Sequence, residues 1–335
     1  MSLSKIIVLA SLCIGLIAKA SSSLVFSPYA DLSINAHWDP IYQDMEPMDL
    51  VELSSHNGVT DYHLAFITNA GSSCNPAWAG QPDYSIKNAW AVHLTDKMRA
   101  HAIGYTISFG GANGADLSSV CSREQLVSAY EQIIKTYQPN GLDFDIENSA
   151  VDVPKLIDAL QEVQTHNPNL KISFTLPTLP EGLISAGQAV VRSAQKSHLK
   201  NYLINIMAMD YGPAYTNDMG QYAMQAASNL FAFLKKLYPE KSDAALWQMI
   251  GITPMIGVND TNIEKFTLED TDQLRTFAER VNISLLSMWS AARDNPCADA
   301  WASPVCSGAN LQHDPNEYAK HFLSNTAAHY ERKRS

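Results

Sequence analysis

The feature of this sequence that most limits its fold is a regular alternation of short β-rich runs with amphipathic segments. Apolar residues recur at spacings of three and four in the amphipathic segments, which is typical of helices with one buried face. Strand and helix in repeated alternation predict a parallel sheet, and eight such units close into a barrel. The predicted strands are residues 24–30, 62–68, 104–110, 141–147, 171–177, 203–210, 250–256 and 285–290.

The segments between these runs supply the helices of the predicted barrel. The clearest are residues 123–137, 153–166, 182–197, 218–237, 271–281 and 314–327. No internal repeat or Pro/Gly/Ser-rich linker divides the chain. The sequence therefore predicts one α/β domain, a single (β/α)8 TIM barrel over residues 21–335. A doubly wound open sheet is the alternative, but no GxGxxG motif follows the first strand.

The amino-terminal segment differs from the rest of the chain. Lys5 precedes a predominantly apolar run over residues 6–17, and Ala18-Lys-Ala20 follows it. This pattern predicts a secretory signal peptide over residues 1–20, and hence a secreted protein, extracellular or periplasmic. No later apolar stretch approaches the roughly 20 residues that span a bilayer, so we expect no membrane association after signal removal. A retained signal anchor is the alternative.

The cysteine count predicts two disulfides. Cys13 leaves with the signal, and four cysteines remain in an oxidising compartment. Three connectivities are possible. We favour Cys297 with Cys306, because they bracket one short loop, which leaves Cys74 for Cys121. No CxxC motif or close histidine pair accompanies them, so we expect neither a metal nor a cofactor.

The charge of the chain excludes one class of partner. Its formal net charge is −11 at pH 7. Binding to phosphate backbones needs clustered lysine and arginine, so nucleic acid is not expected as a partner. Neutral or cationic substrates fit this charge better, and a monomer is expected.

The fourth predicted strand carries a ladder of carboxylates. Asp143, Asp145 and Glu147 share one face of the strand, and apolar residues occupy the other face. Mutual repulsion and poor solvation then raise the proton affinity of at least one of them. Glycoside cleavage requires such a protonated acid beside a second carboxylate. We predict Glu147 as the acid, Asp145 as its orienting partner, and Asp143 as a group that shares a proton with Asp145. The alternatives are a Mg²⁺ or Ca²⁺ site and a solvated acidic strand.

Two motifs on neighbouring strands resemble a known family. Residues 140–147, Asn-Gly-Leu-Asp-Phe-Asp-Ile-Glu, resemble the DGxDxDxE signature of family 18 glycoside hydrolases, with Asn140 in place of the leading aspartate. Residues 108–111, Ser-Phe-Gly-Gly, match the SxGG motif of the family on the third strand. The resemblance covers essentially the whole mature chain. It implies a chitinase that hydrolyses β-1,4 linkages in chitin or N-acetylglucosamine oligosaccharides.

The resemblance also implies a mechanism. The 2-acetamido oxygen of the sugar attacks its own C1, so the configuration is retained without a protein nucleophile. Asp145 would hold the acetamido N–H and stabilise the oxazolinium-like intermediate. Glu147 would act first as the acid and then as the base for water.

The resemblance assigns supporting residues at the ends of two further strands. The sixth strand of the family ends Met-x-Tyr-Asp, whereas residues 207–212 read Met-Ala-Met-Asp-Tyr-Gly. Either Met209 replaces the tyrosine and Asp210 aligns, or Tyr211 supplies the hydroxyl from a shifted position. We favour Tyr211 with Asp210 nearby. Trp289, at the end of the eighth strand, would form the floor under the reacting sugar.

Two other functions use the same catalytic strand. An endo-β-N-acetylglucosaminidase would cut N-glycans with the same carboxylates. A catalytically inactive chitin-binding lectin is the second alternative, although such proteins commonly lose the glutamate or the middle aspartate, and this chain keeps both. Only about thirty residues separate strands seven and eight, which leaves no room for an additional α+β insertion. The sequence therefore predicts an open cleft.

Overall fold

The computed structural model describes residues 24–147 and 150–324, and a closed barrel of eight parallel strands forms its centre. The barrel strands are β1 (Val25–Phe26 and Tyr29–Asp31), β2 (Asp61–Asn69), β3 (Gly104–Gly110), β4 (Gly141–Asp145), β5 (Lys171–Leu179), β6 (Tyr202–Ala208), β7 (Ile250–Pro254) and β8 (Leu285–Leu286). The first part of β1 pairs with β8 and its second part pairs with β2, which closes the sheet. The predicted (β/α)8 barrel is confirmed.

Helices surround the barrel. They are α1 (Leu50–Asn57), α2 (Val92–Ala100), α3 (Leu117–Val120), α4 (Arg123–Tyr137), α5 (Val153–His166), α6 (Ser185–Lys196), α7 (Met219–Leu237), α8 (Asp243–Trp247), α9 (Leu268–Val281) and α10 (Glu317–Leu323), with 3-10 turns at Pro82–Tyr84, Ile86–Asn88 and Ala291–Arg293. The predicted bounds of α4 and α5 agree to the residue. A capping box between Ser122 and Gln125 starts α4, and the Asp152 side chain caps α5.

Short additional strands extend the carboxyl end of the barrel. Pro76–Trp78 pairs with the end of β2, and Gly182–Leu183 pairs with the end of β5. Two hairpins follow barrel strands: His37–Asp39 with Asp44–Glu46 after β1, and Gly257–Val258 with Lys265–Phe266 after β7. The regular structure between β7 and β8 consists of the second hairpin and α9. This agrees with the prediction that no additional α+β insertion lies between these strands.

The structure contains the disulfides Cys74–Cys121 and Cys297–Cys306, the pairing favoured from the sequence. The predicted signal peptide, residues 1–20, lies outside the described residues. Within the described part of the chain, no helix combines the length and the apolar character that crossing a bilayer requires.

The two faces of the central strands differ in chemistry. On the outer face, Phe109 and Phe144 stack with ring centroids 5.2 Å apart, and the Tyr130 ring of α4 packs edge-on against both. On the inner face, the buried side chains are polar: Ser108, Asp143, Ser173, Thr175 and Asn205. This polar interior is the base on which the site is built.

Candidate active site

Asp143 lies deepest in the barrel and is fully buried. Four hydroxyl groups donate to its carboxylate: Tyr29 Oη at 2.8 Å, Ser108 Oγ at 2.7 Å, Ser173 Oγ at 2.5 Å and Thr175 Oγ1 at 2.8 Å. Each carboxylate oxygen therefore accepts two hydrogen bonds. Such a set of donors holds the side chain in one position and compensates for its loss of solvent.

A second layer of amide hydrogen bonds supports these hydroxyls. Asn205 on β6 donates through Nδ2 to Thr175 Oγ1 at 3.0 Å and to Thr253 Oγ1 on β7 at 2.7 Å. Tyr29 Oη lies 2.8 Å from Thr175 Oγ1 as well. The network thus joins β1, β5, β6 and β7 behind the carboxylate of β4.

Asp145 lies one step nearer the mouth of the barrel. It is buried, and its side chain forms a hydrogen bond with Glu147. Burial raises the pKa of Asp145 well above its ordinary value, and the neighbouring charges of Glu147 and Asp143 raise it further. The Asp145 Oδ1 atom has no hydrogen-bond partner among the described residues. Asp145 Oδ1 can therefore accept a hydrogen bond from a ligand, while the raised pKa of Asp145 favours the protonated form of the side chain.

Glu147 follows β4 directly and reaches the mouth of the barrel. The residue as a whole is exposed, yet partial burial of its carboxyl group raises the pKa of Glu147, and so do the charges of Asp210 and Asp260. The hydrogen bond with Asp145 opposes this shift. Two coupled carboxyl groups with raised proton affinity can hold a proton at a pH where ordinary carboxylates are ionised.

The glycines at the end of β3 let the chain pass close to β4. Gly110 has a φ of 91°, and a Cβ at this position would lie 2.1 Å from the Asp145 carbonyl oxygen. Gly111 has a φ of 85°, and its amide donates to the same carbonyl at 3.2 Å. A Cβ on Gly111 would also lie 3.0 Å from the Phe66 ring. Both positions thus require glycine for their φ and for the space.

An aromatic floor lies beside the carboxylates. Trp289 follows β8, is half-buried, and its amide donates to the Pro254 carbonyl at 2.8 Å. Its ring stacks on Phe66 with centroids 5.6 Å apart, and it lies 6.1 Å from the Tyr29 ring. The structure thus places Trp289 next to the tyrosine that donates to Asp143.

Asp210 lies at the end of β6 in a left-handed conformation with a φ of 50°. Its carboxylate accepts from the Thr261 amide at 2.9 Å, and its own amide donates to Asn259 Oδ1 at 3.4 Å. Burial, followed by the charge of Asp260, raises the pKa of Asp210. Met209 directly follows the last residue of β6 and is half-buried.

Tyr211 lies in a different environment. It is buried, and its ring packs against Tyr215 and against Tyr222 on α7. Its hydroxyl has no hydrogen-bond partner among the described residues, and its amide donates to Glu264 at 3.1 Å. The structure therefore brings Asp143, Asp145, Glu147, Asp210 and Trp289 to one end of the barrel, whereas the Tyr211 ring packs towards α7.

The sequence model described as "Glycosyl hydrolases family 18" matches residues 56–278, which is more than half of the chain. The chain belongs to glycosyl hydrolase family 18. It is 37% identical to the crystallised catalytic domain of a hyperthermophilic chitinase from Pyrococcus furiosus, with a TM-score of 0.80 and coverage of 90% of this chain and 94% of that one.

Two curated relatives of this family 18 chain are longer proteins. The "Probable bifunctional chitinase/lysozyme" of Escherichia coli K12 is 32% identical over 301 residues, which cover 84% of this chain and 32% of the relative. "Endochitinase 11" of Metarhizium anisopliae is 32% identical over 304 residues, which cover 85% and 55%. The chain thus spans about a third and about half of the length of these two relatives.

Several residues of the family 18 site were not singled out from the sequence. Tyr29, Ser173 and Thr175 donate to Asp143, and Phe66 stacks on Trp289. One signal was present: polar residues occur at alternating positions in the otherwise apolar strands β1 and β5. This alternation indicates a polar barrel interior, but it does not say which hydroxyl contacts which carboxylate.

Four further tryptophans differ in their exposure, and one cluster of metal-type ligands lies outside the site. Trp78 and Trp90 are buried in the core, whereas Trp38 and Trp301 are largely exposed. Among the described residues, one group has metal-type ligands close together: Cys297, Asp299 and Cys306. Its two sulfurs are bonded to each other, so they are not thiolate ligands.

Proposed function

We propose that this family 18 protein is a chitinase that hydrolyses β-1,4 linkages between N-acetylglucosamine units with retention of configuration, using the acetamido group of the substrate as the nucleophile. One observation carries the proposal. Asp145 is buried, is hydrogen-bonded to Glu147, and has an Oδ1 acceptor without a partner among the described residues. An acetamido N–H is a donor of the kind that this atom lacks.

The first step breaks the glycosidic bond. Glu147 donates its proton to the leaving oxygen as the bond from C1 to that oxygen breaks. The acetamido oxygen forms a bond to C1 from the opposite face, which gives an oxazolinium-like intermediate. Asp145 Oδ1 accepts the acetamido N–H and stabilises the positive charge that develops there.

The second step restores the enzyme. Glu147, now ionised, takes a proton from water, and the water oxygen attacks C1 as the acetamido oxygen leaves. Two inversions at C1 give net retention. The four hydroxyl donors of Asp143 keep its carboxylate in place below Asp145 while the charge of Asp145 changes.

The remaining contacts of the reacting sugar are proposed from the residues around the carboxylates. Trp289, backed by Phe66, offers an aromatic face to the apolar face of the pyranose ring. Asp210 contributes a carboxylate next to Glu147. Met209, directly after β6, aligns with the tyrosine of the family pattern. The packing of Tyr211 against α7 favours Met209 over Tyr211 for that position.

The named relatives support the substrate class, since those compared above are described as chitinases. A connection of one hairpin and α9 between β7 and β8 supports an open cleft and internal cleavage of accessible chains. Secretion is proposed from residues 1–20, and a monomer remains our expectation.

The decisive experiment compares wild type with Glu147→Gln, both lacking residues 1–20, on N-acetylglucosamine oligomers. We expect the wild type to release shorter oligomers, initially as the β-anomer in NMR spectra, and the variant to lose several orders of magnitude in kcat. An initial α-anomer would contradict retention. Oligomers bound but not cleaved by the wild type would indicate a lectin. Release of glycans from a denatured glycoprotein, with no action on the oligomers, would indicate an endo-β-N-acetylglucosaminidase.

A further inference from the structure

His63 lies inside the barrel, one layer below the hydroxyls that hold Asp143. It projects from β2 and is 3% exposed. Its ring stacks on the ring of Tyr29, with centroids 4.8 Å apart and planes inclined by 29°. The hydroxyl of the same Tyr29 donates to Asp143. His63 therefore contacts the catalytic machinery through a single aromatic side chain.

The hydrogen bonds of His63 fix its tautomer. Nδ1 lies 3.0 Å from the Ser27 carbonyl oxygen and 2.9 Å from Ser27 Oγ. Because a carbonyl oxygen can only accept, the hydrogen resides on Nδ1 and donates to it. Burial lowers the pKa of His63, while Asp143 and Asp61 act in the opposite direction. The ring is therefore neutral at neutral pH, and it is anchored to β1 next to the tyrosine that it supports.

A cavity reaches His63 from the end of the barrel opposite the carboxylates. Its volume is about 780 Å³, and its wall includes Ser27, Asp61, His63, Thr106 and Ser173. The Nε2 atom of His63 has no hydrogen-bond partner among the described residues. Small molecules can thus approach the ring without passing through the substrate cleft.

We propose that His63 is a positioning residue for the glycoside hydrolysis proposed above: its ring, anchored to Ser27, supports the Tyr29 ring so that the tyrosine hydroxyl stays on Asp143. The inference rests on the proposed function. Without the imidazole, the Tyr29 ring has space to move towards the cavity. Asp143 then loses one of its four hydroxyl donors, and the carboxylate ladder above it loses its fixed geometry.

The test is His63→Ala beside Leu64→Ala. Leu64 is the next residue on β2, is fully buried, and faces away from the barrel interior, so it reports the general cost of a cavity in this strand. We expect kcat on an N-acetylglucosamine tetramer to fall about 10- to 100-fold in His63→Ala, with KM little changed. Added imidazole, entering through the cavity, restores a large part of kcat in His63→Ala and none in Leu64→Ala.

A second variant covers the case in which His63→Ala does not fold. His63→Asn keeps a donor for the Ser27 carbonyl but lacks the ring face, so we expect it to fold and to lose kcat like the alanine variant. Unchanged kcat in either variant, or a loss equal to that of Leu64→Ala without imidazole rescue, would overturn the positioning role and leave the proposed function intact. A wild type that cleaves no oligomer would overturn both.

Discussion

Gly110 and Asp145 lie so close together that a Cβ on Gly110 would stand 2.1 Å from the Asp145 carbonyl oxygen. The end of β3 and the end of β4 are thus fitted to each other at the residue that carries the central carboxylate. In the Ser-Phe-Gly-Gly motif, the glycines let the backbone of β3 approach Asp145. The serine, Ser108, donates a hydrogen bond from its hydroxyl to Asp143.

Gly110→Ala is predicted to damage both stability and activity. The left-handed φ alone costs about 1–3 kcal/mol. The clash with the Asp145 carbonyl adds to this cost, so we expect the free energy of unfolding to fall by more than the φ alone would cause. Gly71→Ala is the matched control, because Gly71 has a φ of 80° but no heavy atom within 4 Å of its would-be Cβ. Urea unfolding and oligomer cleavage check both variants. Equal losses in the two would show that the contact with Asp145 is unimportant.

Tyr29→Phe is predicted to slow catalysis while keeping the fold. The substitution retains the stacking on His63 but removes one donor from the fully buried Asp143. A hydrogen bond to a charged group is worth about 1.5–3 kcal/mol, so we expect kcat to fall about 10- to 100-fold. Tyr62→Phe, on the outer face of β2, is the control, since its hydroxyl contacts Ser54 rather than a carboxylate. Steady-state kinetics would show the loss in Tyr29→Phe alone.

Asp260→Asn is predicted to shift the basic limb of the pH profile to lower pH. The charge of Asp260 raises the pKa of Glu147, which must be protonated to act as the acid. Removing that charge lowers the pKa of Glu147, so activity is lost at a lower pH on the basic side. A profile of kcat against pH at low salt measures this shift, and high salt reduces it. The exposed Glu52 on α1 provides the control variant Glu52→Gln, which should leave the limb in place.

Asp294 is predicted to make stability depend on pH. Its carboxylate is buried and accepts from Gln312 Nε2 and from the amides of Tyr318 and Ala319 at the start of α10, and burial raises its pKa to about 6. The folded state therefore binds a proton more tightly than the unfolded state does. The contribution of this group to stability is fully present below pH about 4 and is lost as the pH rises towards 6.

Urea unfolding of wild type and Asp294→Asn at several pH values isolates this contribution. From pH about 4 to pH about 7, the stability of the wild type should fall relative to that of the variant by on the order of 3 kcal/mol. Asp270, whose pKa burial also raises to about 6, is present in both proteins and cancels in the difference. A difference independent of pH would show that Asp294 titrates normally in the folded state.

The strands and the longest helices could be predicted because their patterns are local. The limits of α4 and α5 follow from caps within a few residues, at Ser122 and at Asp152. The four-residue α3 and the five-residue α8 were not predicted, since one turn shows no periodicity. The carboxylate ladder was predicted by counting along β4, which is reliable as long as a strand remains regular, whereas Trp289 was predicted from the family resemblance.

The site was harder to predict where a strand ends. After Ala208 the chain leaves β6, and Asp210 takes a left-handed conformation, so inward and outward positions no longer alternate. Beyond that point the ring of Tyr211 packs on α7. The hydrogen bond from Tyr29 to Asp143 depends on the register of the barrel strands, which joins residues 114 positions apart and leaves no local trace in the sequence.

The hydroxyl shell of Asp143 has a consequence for how the protein acquires its chemistry. Its donors come from β1, β3 and β5, and their amide support comes from β6, with a partner on β7. A partly folded chain in which the sheet has not yet curled shut holds every one of these residues but not the shell. Recovery of cleavage during refolding therefore reports when the sheet closes, whereas recovery of the helical circular-dichroism signal does not.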